Sequence, residues 1–557
     1  MNGAECLCRT LEALGADTVF GLPGSQNVAL FEALRTSRLR TVVATHELAS
    51  SFMANGYARA SGRPGILTTI PGPGFTYALT GLAEALLDSV PLVHVLVAPA
   101  TAPGRRFQLQ ALDQKAIVSP VVKRVIDVAA AREIETAVRT AYAVCREGEP
   151  GPVVVQIPAT LFDADVEAPS DAPNSDLEPA APDVGPIARR LAAARRPLLY
   201  VGQGAENAAN ELFELVEATG APVVTTTSAR GVVPEDHPRV LRFDRRRTNV
   251  LEDLVESADL VLALGCKFSH NGAHGFRLRL PADRLVHVDA SPAVLGANYE
   301  ASLTLVADVP RVLRALLASV PEGTRETSRW TDDEMRSWKD QAVAVSVRSG
   351  EPRVRGYRPP TPEKFFASLR RTMPRDSCLV LDSGLHQMLA RRYFRVLCPR
   401  GMLLPADLQA MGFALPAAIG ARIANPRRPV VALLGDGGFA LSGLELLTAV
   451  REHLPLTAIV FNDGRYGLIY NRQVNAYGRA HGTSLRNPDI RGVAESVGAR
   501  YLRMSGRSER RLAAAIRGSG VTVVEVVLRG RGRRRLPRTA RSVASRLKRW
   551  LLPTEKR

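Results

Sequence analysis

The sequence predicts an α/β protein of three doubly wound parallel-sheet domains followed by a basic C-terminal tail. Three observations carry that prediction. Short apolar runs alternate with helical patterns through residues 1 to 529, a stretch rich in Pro, Ala and Asp at 168–186 (APSDAPNSDLEPAAPDVGP) interrupts them, and a long polar stretch after residue 320 interrupts them again. A chain of 557 residues also exceeds one ordinary domain and suits about three or four.

The first domain, 1–167, opens with a strand-like Thr18-Val19-Phe20. The loop GLPGSQN (Gly21 to Asn27) follows and turns on Pro23-Gly24. Next come the run TVVAT, a helix from about Ala49 to Ala60, the run GILTTI, a glycine loop PGPG (Pro71 to Gly74), a helix over Thr80 to Leu87, and the run PLVHVLVA. Unbroken apolar runs of this kind suit parallel strands covered on both faces. Residues 168–186 read as a linker. The central domain, 187–340, repeats the pattern with PLLYVG, APVVTTT, ADLVLALG and RLVHVDA. A third domain, 355–529, begins its regular structure at about Thr361.

Composition excludes several classes. Hydrophobic content of 46% is enough for real cores, no segment reaches 18 uninterrupted apolar residues, and the amino terminus lacks the basic-then-apolar pattern of an export signal. A soluble cytoplasmic protein is expected. The six cysteines are scattered without a C-x-x-C pair, so neither a zinc site nor a disulfide framework is indicated. The net charge of +18 is unevenly placed: residues 529–557 hold twelve Lys or Arg and one Glu, which is +11 and leaves +7 for the rest. In that tail (530–557) Val543, Leu547, Trp550 and Leu551 share a helical face among arginines, a pattern that suits an anionic surface or a solvated extension alike.

The chemistry concentrates in VVALLGDGGFALSGLELLTAVREHLPLTAIVFNDGRYG. An apolar run breaks at Gly435-Asp436-Gly437-Gly438, a helical pattern places Leu444, Leu447, Val450 and Leu454 on one face, and a second apolar run ends at Asn462-Asp463-Gly464. A right-handed crossover between parallel strands brings Asp436 and Asp463 to the same carboxyl edge. Two hard oxygen ligands there suit Mg²⁺ completed by phosphate oxygens and water, and the glycines admit a phosphate. Far upstream, Glu47 ends a buried strand just before a helix. It is a candidate proton donor or, alternatively, an acid paired with the helix dipole.

Seven segments then combine: FGLPG, THE, ANGYARASGRPG, TIPGPG, DSGLHQM at Asp382, MGFALPAAIGA at Met411, and GDG followed by Asn462-Asp463. Together, over nearly all of residues 1 to 530, they resemble the thiamine diphosphate-dependent family of acetolactate synthases, pyruvate oxidases and 2-oxo acid decarboxylases, acetolactate synthase-like proteins above all. The resemblance implies a pyrimidine-binding first domain and a diphosphate-binding third domain, with the cofactor spanning the two across a subunit interface. A homodimer or homotetramer is therefore implied. Glu47 takes the place of the glutamate that hydrogen-bonds the aminopyrimidine and promotes the imino tautomer that deprotonates the thiazolium. Asp436 and Asp463, with the backbone carbonyl of Arg465, are the implied Mg²⁺ ligands, Asp463 standing where the family commonly has Asn. Met411 stands where an apolar side chain supports the bent cofactor, Gln409 where synthases often have Gly, and Gln110 where carboligases point a glutamine at the reacting carbon. Pro23, Gly24, Gly72, Gly435, Gly437 and Gly438 are the implied loop contacts to the cofactor.

The resemblance also implies loss of carbon dioxide from a 2-oxo acid such as pyruvate, with the acyl carbanion passed to a carbonyl acceptor. Non-oxidative decarboxylation is the alternative, and a non-catalytic scaffold a third reading. The chain lacks the His-His dipeptide of pyruvate decarboxylases and, at Thr69-Ile70, the histidine of benzoylformate decarboxylases, which favours carboligation. EDHPRVLRFDRRRTN replaces the flavin-associated Gly-Met-x-Gly loop, so FAD is not expected. Arg472 stands where biosynthetic synthases carry an acceptor-selecting tryptophan. Facing the pocket it would clamp an anionic acceptor, and facing solvent it would do nothing.

Overall fold

The structure, a computed structural model, describes residues 1–100, 105–170, 181–243, 248–321, 323–343, 351–355, 357, 360–504 and 508–529. The predicted tail and the middle of the predicted linker lie outside these residues.

Three sheets follow one another along the chain. The first contains β1 (Thr18–Gly21), β2 (Arg40–Val43), β3 (Gly65–Thr69), β4 (Leu92–Ala98), β5 (Arg124–Asp127) and β6 (Pro152–Pro158) in the order β2-β1-β3-β4-β6-β5, every pair parallel. The second contains β7 (Pro197–Val201), β8 (Val223–Thr225), β9 (Val240–Leu241), β10 (Leu260–Leu264), β11 (Leu285–Asp289) and β12 (Leu303–Val306) in the order β12-β11-β10-β7-β8-β9, again all parallel. All five residues of β3, β7 and β10 are buried, as parallel strands covered on both faces require, Thr68 and Thr69 of β3 included. The α/β class with parallel sheets is the one the sequence predicts.

The third sheet runs β13-β19-β17-β16-β14-β15, from β13 (Arg353–Val354), β14 (Cys378–Leu381), β15 (Met402–Leu403), β16 (Val430–Gly435), β17 (Leu456–Asn462) and β19 (Val521–Arg529). β18 (Arg500–Arg503) pairs with β19 as well. Its edge strand β13 is antiparallel to β19, so this sheet is mixed, and it begins two residues before the expected boundary at 355.

Two local expectations change. The helix expected from Thr80 starts at Pro73, because Gly72 (φ 64°) breaks the chain direction and Pro73 fills the first helical position, where its missing N–H costs nothing. The helix after Asp436 is divided into Asp436–Ser442, a 3₁₀ turn Gly443–Glu445, and Leu446–Arg451. The tighter turn shifts the helical phase. Leu446 and Ala449 are consequently buried, while Leu444 is 61% and Leu447 41% exposed, contrary to the expected apolar face.

The first and third domains share one core. The helix Glu47–Ser61 crosses the helix Ala414–Ala424, with Phe52 edge-on to Phe413 at 5.3 Å between centroids. Glycines set the depth of this crossing: a Cβ on Gly56 would lie 2.0 Å from the Ala417 carbonyl oxygen, and one on Gly420 1.9 Å from that of Met53. A buried Arg59–Asp88 ion pair (2.6 Å) strengthens the junction, Asp88 also accepting from Ala406 N (2.8 Å) and Asp407 N (2.9 Å). The central domain is tied to the third through Glu235, which pairs with Arg230 at 2.5 Å and accepts from Val396 N at 2.8 Å. Among the described residues no helix is long and apolar enough to cross a membrane, and all six cysteines are free.

Candidate active site

At the first-domain end, each residue of Thr45-His46-Glu47 has a distinct structural part. Thr45 N–H donates to the buried Glu445 carboxylate at 3.1 Å, tying the end of this strand-loop to the third domain. His46 caps the Glu47–Ser61 helix, its Nδ1 accepting from Leu48 N at 3.1 Å. Glu47 is then the first helical residue, half-buried, with Oε1 against Gly74, where a Cβ would come within 2.9 Å. Gly72 packs against Gln110 (3.0 Å from an added Cβ to the Gln110 Cβ) and its N–H donates to Gln114 at 3.3 Å. Gly24 N–H donates to Asn27 Oδ1 at 2.7 Å, and an added Cβ there would meet Ile70; Pro23 beside it is exposed. Gln26 Nε2 donates to Gln110 Oε1 at 2.9 Å. The structure thus gathers Glu47, Gly72, Gln110 and the Pro23-Gly24 loop around one spot, and adds Gln26 and Glu445, for which the sequence carried no local signal.

The third-domain end forms where β16 pairs with β17, Leu434 opposite Val460 and Gly435 opposite Phe461. That register brings Asp436 and Asp463 to one edge. Asp436 is buried, Oδ1 accepting from Gly437 N at 3.0 Å and Oδ2 from Gly464 N and Asn487 Nδ2, each at 2.7 Å. Asn487 also donates to Asn462 Oδ1 at 3.2 Å. Burial, together with the Asp436 carboxylate, pushes the Asp463 carboxyl up to about 6 against the opposing pull of Arg465, whose Nε lies 3.5 Å away. Gly464 O accepts from Leu485 N (2.9 Å) and Tyr466 N donates to Thr483 O (2.8 Å), so the Arg465 backbone is held between two bonds to the 483–485 segment. Gly437 and Gly438 are packed against side chains: an added Cβ would lie 2.7 Å from the Tyr466 ring and 2.2 Å from Asp382 Oδ2.

Gln409 and Met411 lie on the segment entering the Ala414–Ala424 helix. Gln409 has φ 65°, a conformation that favours glycine, and its Nε2 folds back to Pro405 O at 2.7 Å and to Ala406 O. The side chain is therefore held by its own loop and does not reach outward. Met411 is half-buried, and Gly412 (φ 81°) after it donates to Asp382 Oδ2 at 3.1 Å. Arg472 is exposed on the Gly467–Tyr477 helix, which has no buried residue.

Both ends match known proteins. Models of the thiamine pyrophosphate enzyme N-terminal TPP binding domain, central domain and C-terminal TPP binding domain cover residues 1–117, 184–316 and 382–526. An acetolactate synthase of Mycobacterium bovis is 32% identical over 90% of this chain and 84% of its own length. The chain belongs to the thiamine pyrophosphate enzyme family. It is a thiamine diphosphate-dependent enzyme. The chain is similar also to a probable acetolactate synthase large subunit of Methanocaldococcus jannaschii (29% over 95% of this chain and 92% of that one) and to acetolactate synthase 1, chloroplastic, of Oryza sativa subsp. japonica (31% over 92% and 82%).

The residues present fit this family's cofactor. His386, from the DSGLHQM segment, is buried beside Gly435. Its Nε2 has no protein partner, and burial pushes the ring down to about 4, so it is neutral at physiological pH. A buried ring nitrogen left without a protein partner in that position leaves room for a polar atom of a ligand. The paired carboxylates likewise suit a divalent cation that takes its other ligands from phosphate and water. At the switch point of the central sheet, between β7 and β10, a cavity of about 440 Å³ opens against Gly202, Gly204 and Gly265. After the Asp236-His237-Pro238 turn of the central domain, Arg242 reaches back to Arg392 O (2.7 Å) and Phe394 O (3.3 Å) and to the Glu235 carboxylate.

Proposed function

We propose that this thiamine diphosphate enzyme decarboxylates a 2-oxo acid, with pyruvate as the reference donor, and passes the acyl group to a carbonyl acceptor as acetolactate synthases do. The carrying observation is the chemistry around Gly72. The side chains meeting there are amides, Gln110 and Gln114, with Gln26 behind them. His94 of β4 comes near by bonding Thr69 Oγ1 at 2.9 Å, yet burial pushes it down to about 3 and leaves it no proton to give at neutral pH. Amides orient a second carbonyl but do not protonate a carbanion, which favours carbon–carbon bond formation over release of an aldehyde.

Bound thiamine diphosphate supplies the nucleophilic carbon and the electron sink for the departing carbon dioxide. Glu47 would hold the proton at the pyrimidine ring nitrogen. His386 would line the diphosphate end of the site, and Asp436, Asp463 and the Arg465 carbonyl would hold Mg²⁺. No flavin is assigned a part in this scheme.

The working unit in this reading is a homodimer or a tetramer of such dimers. In support, Leu441 (65%), Leu444 (61%) and Leu447 (41%) form an exposed apolar ridge beside the Asp436 helix, and Phe107 (96%) and Leu109 (75%) stand exposed beside Gln110. Incubation with pyruvate, Mg²⁺ and thiamine diphosphate should yield acetolactate or another acyloin, identified by mass, and the Glu47→Gln variant should yield none. Acetaldehyde as the sole product would replace this reading with the decarboxylase one.

A further inference from the structure

We infer that Gln26 is a positioning residue that fixes the polarity of the Gln110 carboxamide, so that Gln110 meets the ligand as a hydrogen-bond donor. The inference rests on the function proposed above and deepens its account of how the site holds a reacting carbonyl. A carboxamide has an acceptor oxygen and a donor NH₂ on nearly superimposable positions, and which one faces a partner follows from the network around it.

Here the network begins at a group without ambiguity. The Ala100 backbone N–H can only donate, and it meets Gln26 at 3.0 Å, so the Gln26 atom there is Oε1. Nε2 then occupies the other branch and donates at 2.9 Å to Gln110, whose facing atom must be Oε1. The Gln110 NH₂ is thereby turned away from Gln26 and left for a ligand.

The backbone keeps this chain of bonds in place. The Gln26 loop is braced by Asn27, which accepts from Gly24 N at 2.7 Å and donates to Leu22 O at 3.0 Å. Gln110 itself is held in the left-handed region (φ 58°), pressed against Gly72, where an added Cβ would meet Gln110 Cβ at 3.0 Å. A residue held in an unfavourable backbone conformation by its surroundings has its Cβ fixed in place, and the hydrogen bond from Gln26 then orients the carboxamide beyond it.

The consequence is chemical. When a carbonyl carbon is attacked, negative charge gathers on its oxygen. A fixed N–H donor stabilises that oxygen, whereas a fixed amide oxygen repels it. Neither orientation supplies a proton to carbon. Gln26 would act only through Gln110, without touching the substrate.

Two substitutions separate polarity from packing. Gln26→Glu keeps an acceptor for Ala100 N–H but has nothing to donate, so Gln110 must turn its NH₂ toward position 26 and its oxygen toward the ligand. Gln26→Lys still donates to Gln110 Oε1 and leaves the NH₂ facing the ligand. Two readouts are taken on the cofactor-loaded protein: kcat and KM for acyloin formation, and the Kd for acetylphosphonate, a 2-oxo acid analogue that cannot lose carbon dioxide. Gln26→Glu should lower kcat about a hundredfold with a smaller change in KM, and weaken analogue binding about tenfold. Gln26→Lys should stay within about threefold of wild type on both. A Gln26→Glu variant equal to wild type, or a Gln26→Lys variant as impaired as Gln26→Glu, overturns the polarity inference while the proposed function stands. A wild-type protein that neither forms product nor binds the analogue overturns the function, and the inference with it.

Discussion

Gly56→Ala tests the link between fold and catalysis most directly. Gly56 lies where the Glu47–Ser61 helix touches the Ala414–Ala424 helix backbone to backbone, and an added Cβ would sit 2.0 Å from Ala417 O, where ordinary contact begins at 3.4 Å. The atom in the way belongs to helical backbone, so no side-chain rotation relieves the overlap. The two helices must part by about 1 Å, and overpacking of this kind costs about 1–3 kcal/mol or more. Gly420 has the same relation to Met53 O at 1.9 Å, so the crossing has no slack on either side. The displaced helix carries Glu47 at its first position, and a shift of about 1 Å at a catalytic group lowers turnover roughly a hundredfold. Thermal unfolding midpoints and kcat, measured on cofactor-loaded protein, should fall together in Gly56→Ala and again in Gly420→Ala. A Gly56→Ala protein with wild-type midpoint and turnover would show that the crossing is loose and that Glu47 is placed by other contacts.

Glu84→Gln should flatten the pH dependence of stability. Burial, with the Asp88 carboxylate beside it, holds the Glu84 carboxyl well above the usual range. The folded protein therefore keeps a proton that the unfolded chain releases above about pH 4.3, so wild type loses stability as pH rises from there toward the raised folded value. Equal slopes for the two proteins in unfolding midpoints between about pH 5 and pH 9 would refute this. Asp436→Asn should weaken Mg²⁺ and thiamine diphosphate binding about a hundredfold, because Asp436 Oδ2 also organises Gly464 and Asn487. Asp463→Asn should stay within about tenfold, since it keeps an oxygen ligand and removes a like charge. Titration calorimetry showing equal losses would contradict the difference in their roles. Deleting residues 530–557 should leave turnover intact and reduce retention on heparin or anionic vesicles, and loss of activity on truncation would assign the tail to the site.

The strands and their parallel arrangement are legible in the chain because a strand buried on both faces is largely apolar, as β7, β10 and β16 are, while β3 buries Thr68 and Thr69 along with Ile66 and Leu67. The convergence of Asp436 and Asp463 follows from the same rule, since a crossover between adjacent parallel strands has only one edge at which to deliver them. Local sequence has no comparable hold on partners far apart in the chain. Gln26 meets Gln110, Thr45 meets Glu445, and Asn487 meets Asp436 only because separate loops end at the same sheet edges. The buried, unpartnered Nε2 of His386 is likewise a property of what surrounds Gly435, not of the segment DSGLHQM. The helix after Asp436 fails as a periodic pattern for a different reason. A 3₁₀ turn at Gly443–Glu445 resets its phase and leaves Leu444 and Leu447 outside. Sequence by itself determined which segments are buried strands and which residue types reach their ends, because burial and backbone geometry act locally. Only the tertiary structure decided which amide faces which, how closely two helices cross, and where one ring nitrogen of a histidine is left without a partner, because these depend on loops brought together by the packing of two domains.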